Sequence, residues 1–139
     1  MAYWLFKGDP ESYGYNDLEK EKKTVWDGVA NFTALNNIRK MNKGDEAFIY
    51  HSGKEKSIVG RARVVSAPYP DPKKKDARIV VVELEAQGRL KNPVPLSAIK
   101  AQGKFNDFPL VRIPRLSVMP VTDKQWSALI AMSQQPSES

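Results

Sequence analysis

The stretch Ala77-Arg78-Ile79-Val80-Val81-Val82-Glu83-Leu84-Glu85 has an unbroken apolar centre, the pattern of a strand buried on both faces. It is expected to be the central strand of a sheet. Other segments supply its neighbours. Tyr3-Trp4-Leu5-Phe6-Lys7 is aromatic-rich and closed by Gly8-Asp9-Pro10, and Glu46-Ala47-Phe48-Ile49-Tyr50-His51-Ser52 has an apolar middle ending in a Ser52-Gly53-Lys54 hairpin turn. Residues 57–66 read as a strand in which Gly60, before Arg61-Ala62-Arg63, marks a bend or a close approach. Arg115-Leu116-Ser117-Val118-Met119-Pro120 alternates as a short strand. Pro93 and Pro95 cannot donate to a ladder, so residues 88–96 read as a turn and edge segment.

Helix signals fall between these strands. From Asn16 the acids come early and the bases late, as a short helix dipole prefers. Asn31 stands as the N-cap of a helix ending near Met41, with Phe32, Leu35, Ile38 and Met41 along one apolar face. Ser97 can cap a single turn through Lys100, and 107–114 reads as a connector. Thr122-Asp123-Lys124-Gln125 is a capping box opening a helix that buries Trp126, Leu129 and Ile130. The sum is an α+β fold whose small, strongly curved, barrel-like sheet has about five or six strands and about three short helices.

A chain of 139 residues has room for one domain, expected over 1–133 with a polar tail over 134–139. The absence of cysteine excludes disulfides, thiolate nucleophiles and cysteine-ligated zinc, and a single histidine excludes a histidine-rich metal site. Neither metal nor cofactor is expected. The eight glycines are isolated from one another, so no phosphate-cradling loop occurs. The net charge of +6 and a sequence pI near 9.5 favour an anionic partner such as nucleic acid. Taken alone, Lys20-Glu21-Lys22-Lys23 and Lys73-Lys74-Lys75 read as solvated loops. No apolar run approaches the ~20 residues of a membrane span, and the first seven residues are too short for a signal peptide. A cytoplasmic monomer is expected.

Trp26-Asp27-Gly28 places an indole beside turn-formers at the donor-rich entrance of the Asn31-capped helix, where a flat, polar-edged ligand fits. The alternative reading makes Trp26 core and Asp27-Gly28 a plain turn. Tyr3, Trp4, Trp26, Tyr50 and Tyr69 are interleaved with Lys7, Arg61, Arg63 and Arg115, which points to a stacking pocket with a basic rim. Pro68, Pro70 and Pro72 stiffen the loop that carries Tyr69. His51 has no evident carboxylate orienter and reads as a rim residue, and Glu83 with Glu85 as a solvated strand face.

Tyr3-Trp4-Leu5-Phe6-Lys7 with Pro10-Glu11-Ser12, then Trp26-Asp27-Gly28-Val29-Ala30-Asn31-Phe32-Thr33-Ala34, Phe48-Ile49-Tyr50-His51-Ser52, Ala67-Pro68-Tyr69-Pro70-Asp71 and Arg115-Leu116-Ser117 together resemble the EVE domain, from Tyr3 to about Ile130. The resemblance implies a PUA-like pseudobarrel, related to YTH and ASCH domains, that recognises a modified base in RNA or DNA without catalysis. By likeness to YTH domains, Trp26 is one wall of the base site, and Tyr69 falls where those domains place a second Trp. Asp27 and Asn31 would bond the base edge, with capping an equal role for Asn31. Tyr50, His51, Ser52 and Lys7 would line the pocket and its mouth, while Arg61, Arg63 and Arg115 join Lys7 on the phosphate rim. The chain lacks the basic amino-terminal extension of nuclear relatives, which implies a free-standing bacterial domain. The alternatives are an ASCH-like amidohydrolase using Lys23, Thr24 and Glu83, and an adaptor whose aromatic cleft accepts a peptide.

Overall fold

The computed structural model describes residues 1–134. Apart from Gln134, which ends the last helix, the expected polar tail lies outside the described residues. Among the described residues there are seven strands and six helices: β1 Tyr3–Gly8, α1 Pro10–Tyr13, α2 Tyr15–Glu21, β2 Lys23–Trp26, α3 Phe32–Arg39, β3 Glu46–His51, β4 Ser57–Val64, β5 Tyr69–Pro70, β6 Val80–Pro95, α4 Leu96–Ala101, α5 Pro109–Arg112, β7 Val118–Val121 and α6 Asp123–Gln134. The α+β class holds, with more and shorter elements than the sequence pattern separates. None of these helices is long and apolar enough to cross a membrane.

The strands form one open sheet in the order β2-β6-β4-β3-β1-β7, with β5 paired to β6. Only β1 and β3 run parallel. As the apolar run demands, β6 takes β2 along one side and β4 along the other, with β5 pairing Val80 and Val81, and Val81, Val82 and Leu84 are fully buried. The expected turn and edge at 88–96 is instead the second half of this long strand, still paired to β4. Ile58 pairs with Val94 and Gly60 with Arg89, so residues 90–93 bulge out opposite Val59. That bulge is how Pro93 is accommodated without a missing ladder bond. Helix α6 packs against β6, and Asn92 Nδ2 in this half donates to Ser133 O at 3.0 Å.

Local chemistry sets the remaining elements. Asp9 Oδ1 accepts from Glu11 N at 2.9 Å and starts α1 with Pro10 in its first turn. Thr122 Oγ1 accepts from Gln125 N at 3.1 Å while Gln125 Oε1 accepts from Thr122 N at 3.0 Å, the reciprocal capping expected for α6. On α3, Ala34, Leu35 and Ile38 are buried, followed by Met41, but Phe32 is 49% exposed. It is the first helical residue after the cap, and its ring meets the Arg78 guanidinium instead of the core.

Gly60 is a point of close approach. A β-carbon there would lie 2.5 Å from Cζ of Tyr15, a fully buried ring. The ring cannot withdraw, since its hydroxyl donates to Arg61 O at 2.8 Å and accepts from Gly88 N at 2.9 Å. Gly60→Ala is expected to lower stability by roughly 1–3 kcal/mol through overpacking. An unchanged denaturation midpoint would mean that the ring has room to move.

Candidate functional site

Where β1 and β2 end side by side, their last residues and the turns that follow enclose a cleft of ≈ 810 Å³. Gly8, Asp9 and Tyr13 line it from the first turn, Trp26 through Ala30 from the second, and Glu83, Lys73 and Ser117 complete it. Its size is in the range of small-ligand sites. Gly8 is needed here, because a β-carbon would lie 3.2 Å from the Trp26 ring and 3.0 Å from the Tyr13 carbonyl.

Trp26 belongs to both the core and the cleft. Its indole is 9% exposed, with Phe6 at 5.4 Å and 66° and Tyr13 edge-on at 6.1 Å and 86°. Tyr13 hydrogen-bonds through its hydroxyl to Glu21. Burial first, then the Glu21 carboxylate, pushes the Tyr13 hydroxyl up to about 12. Tyr13 thus stays neutral and donating. Lys7 donates to Pro114 O at 2.6 Å, its ammonium 5.7 Å from the Tyr50 ring centroid, and burial holds it below the ordinary lysine range.

Of the expected site residues, Trp26, Asp27 and Lys7 line the cleft. The others do not, and each has a physical reason. Asn31 Oδ1 accepts from Ala34 N at 3.1 Å, the capping role. Tyr50 is buried in β3, and burial raises its hydroxyl. His51, expected at the mouth, is 5% exposed: Nε2 accepts from Tyr15 N at 2.8 Å, so Nδ1 carries the proton toward Glu55 at 2.8 Å. It has the carboxylate orienter that the sequence reading denied it. Ser52 N donates to Gly8 O at 3.0 Å behind the cleft wall. The Tyr69 hydroxyl donates to Glu83 Oε2 at 3.1 Å, so Tyr69 positions a cleft carboxylate without forming a wall; burial, then Glu83, raises its hydroxyl. Arg61 lies half-buried along β4 opposite Phe48 and Gly88, and Arg63 opposite Glu46 and Glu85. Arg115 is exposed, two residues before the cleft-lining Ser117.

Sequence reasoning passed over Tyr13 and Glu21. The aromatic at Tyr13 directly before Gly14 was the available signal, since Gly14 breaks α1 from α2 and turns Tyr13 toward Trp26. The cleft carries both signs of charge, with Lys7, Lys23 and Lys73 against Asp9, Glu21, Asp27 and Glu83. Its interior therefore favours a neutral, polar-edged group over a bare phosphate.

An open mixed sheet with a cleft where β1 and β2 end defines a PUA-like domain. The chain belongs to the EVE domain family, which it matches over residues 2–132. It is similar to human thymocyte nuclear protein 1, with 28% identity over 96% of this chain and 74% of that protein. The structure of human THYN1 protein in complex with 5-methylcytosine containing DNA superposes with a TM-score of 0.90 and 27% identity, covering 99% of this chain and all of that one. Rpa0253 from Rhodopseudomonas palustris gives a TM-score of 0.92 and 36% identity over 99% of this chain and 97% of its own. An ASCH protein from Zymomonas mobilis shares the fold at a TM-score of 0.59 and 9% identity, covering 94% of this chain and 95% of its own.

Proposed function

We propose that this domain is a monomeric binding module that takes one modified base of RNA or DNA into the Trp26 cleft. The observation that carries the reading is the pairing of the Trp26 indole with the perpendicular Tyr13 ring on the wall of a cleft with ample room for a base. The THYN1 complex with 5-methylcytosine containing DNA, in a relative of the same fold, supports it. Base-on-ring stacking supplies about 1–3 kcal/mol, Asp27 faces the base edge, and Lys7, Lys23 and Lys73 meet the flanking backbone at the mouth. Asn31, Tyr50, His51, Ser52 and Tyr69 hold these elements in place, and Arg61, Arg63 and Arg115 add positive field. The test is titration of matched RNA and DNA strands with cytosine or 5-methylcytosine. Tighter binding of the methylated strand is expected, and equal binding of all four strands would defeat the reading.

Salt gives an independent prediction. Each phosphate neutralised on a single strand steepens the fall of log affinity with log salt by about 0.7. Oligonucleotide affinity is expected to drop between low and physiological ionic strength, and a flat titration would remove the phosphate contacts.

A hydrolase reading has one observation in its favour, since Lys23, Thr24 and Glu83 all line the cleft. Strand alternation works against it: Lys23 and Thr24 are adjacent on β2 and project to opposite faces, and Glu83 sits opposite Val25, on the Lys23 face. Release of acetate from N4-acetylcytidine by the purified protein would establish the hydrolase and displace the binding module.

A further inference from the structure

Phe32 stands apart from the other aromatic rings of this protein. It is half-exposed at the start of α3, two residues after Ala30 on the cleft wall, so the two α-carbons are within about 7.6 Å. One face of the ring is covered by the Arg78 guanidinium, whose carbon lies 5.2 Å from the ring centroid. Arg78 itself is held: Asp76 grips it by a fork, Nε to Oδ1 at 3.0 Å and the terminal nitrogen to Oδ2 at 2.8 Å. The guanidinium of Arg39 on α3 reaches the Arg78 carbonyl.

The loop behind Arg78 is closed as well. Asp71 N donates to Ile79 O at 2.8 Å, Ile79 N to Asp76 O at 3.0 Å, and Lys74 N to Asp71 O at 3.0 Å. This fastened loop presents Lys73 to the cleft and exposes Lys74 and Lys75 beside it. An aromatic ring backed by a fixed cation, from a loop that also carries Lys73, Lys74 and Lys75, matches a base that carries its own phosphate. Bases stack on such rings whatever their identity, and the cations answer the backbone charge.

Resting on the base-reading function above, we infer that Phe32 and Arg78 form a second stacking platform, for the nucleotide that flanks the base held in the Trp26 cleft. The cleft then reads one base while the platform fixes the strand that delivers it. Stacking on Phe32 extends the cation–ring pair into a three-layer stack of guanidinium, phenyl and base. The platform adds affinity for a strand and none for an isolated nucleotide.

Two variants of the full chain, Phe32→Leu and Phe32→Tyr, test this by calorimetric titration against two probes. The probes are 5-methyl-2′-deoxycytidine monophosphate and a five-nucleotide single strand with 5-methylcytosine at its centre. Phe32→Leu is expected to weaken the strand at least about fivefold and leave the monophosphate unchanged, while Phe32→Tyr keeps the wild-type affinity for both. A leucine variant that binds the strand like wild type overturns the platform. So does one that loses both probes equally, which would mean that Phe32 merely fastens the loop, and so does a tyrosine variant as weak as leucine. If wild type binds neither probe, the base-reading function fails and takes the platform with it. Wild type binding both probes equally defeats the platform alone.

Discussion

Trp126→Ala is expected to cost about 3–5 kcal/mol of folding stability, enough to lower the melting temperature by more than roughly 10 °C. The indole is 7% exposed and lies between two other rings, with Phe48 at 3.8 Å and 21° and Tyr3 at 4.3 Å and 15°. Deleting it empties the middle of a three-ring stack that joins α6 to β3 and β1. Because β1 and β3 are rigid neighbours in the sheet, the gap cannot close by a small shift, and the cavity contribution stays near its full size. Trp126→Phe should recover most of the loss. Chemical denaturation followed by circular dichroism measures the effect, and a midpoint within error of wild type would contradict the packing described.

Trp26→Ala is expected to act twice. The ring is nearly as buried as Trp126 and packs against Phe6, so stability should fall by about 3–5 kcal/mol. Affinity for a strand carrying a modified base should fall by a further 5- to 150-fold, roughly, measured well below the variant's melting transition. Trp26→Phe separates the two effects, since a smaller ring still stacks but leaves a void beside Phe6. A Trp26→Ala protein that stays folded and binds with wild-type affinity would return this residue to a purely structural role.

The apolar run at Ile79-Val80-Val81-Val82 marked an interior strand of the sheet, β6, second from the β2 edge, because burial on both faces leaves an uninterrupted signal in sequence. Pro93 and Pro95 misled, since a bulge over 90–93 takes up Pro93 and Pro95 stands at the last residue of the strand, and bulges leave no periodic trace. The caps at Asn31 and Thr122 were legible because they are local contacts between neighbours in the chain. The cleft was legible at Trp26, Asp27 and Lys7, and at Lys23, Thr24 and Glu83 of the hydrolase alternative. Tyr13 reaches Trp26 through a chain reversal, and Tyr69 reaches Glu83 across a strand pairing, so neither contact is written in residue spacing. For His51 a hint was present: Glu55 lies four residues on, across the turn that follows β3.

The place of β1 in the sheet sets an order on biosynthesis. Residues 3–8 leave the ribosome early and find β3 as one neighbour, but their other neighbour is β7, at Val118–Val121. Until that last strand arrives, β1 shows a bare hydrogen-bonding edge, the kind of surface that recruits other chains. Lys7, at the cleft end of β1, waits too, because its fixed position depends on Pro114 O and its backbone N–H on Ser117 O. A nascent chain that has made Trp26, Tyr13 and Asp27 therefore holds parts of the cleft wall without their final arrangement, and the Lys7 corner is fastened only when nearly the whole domain has been translated.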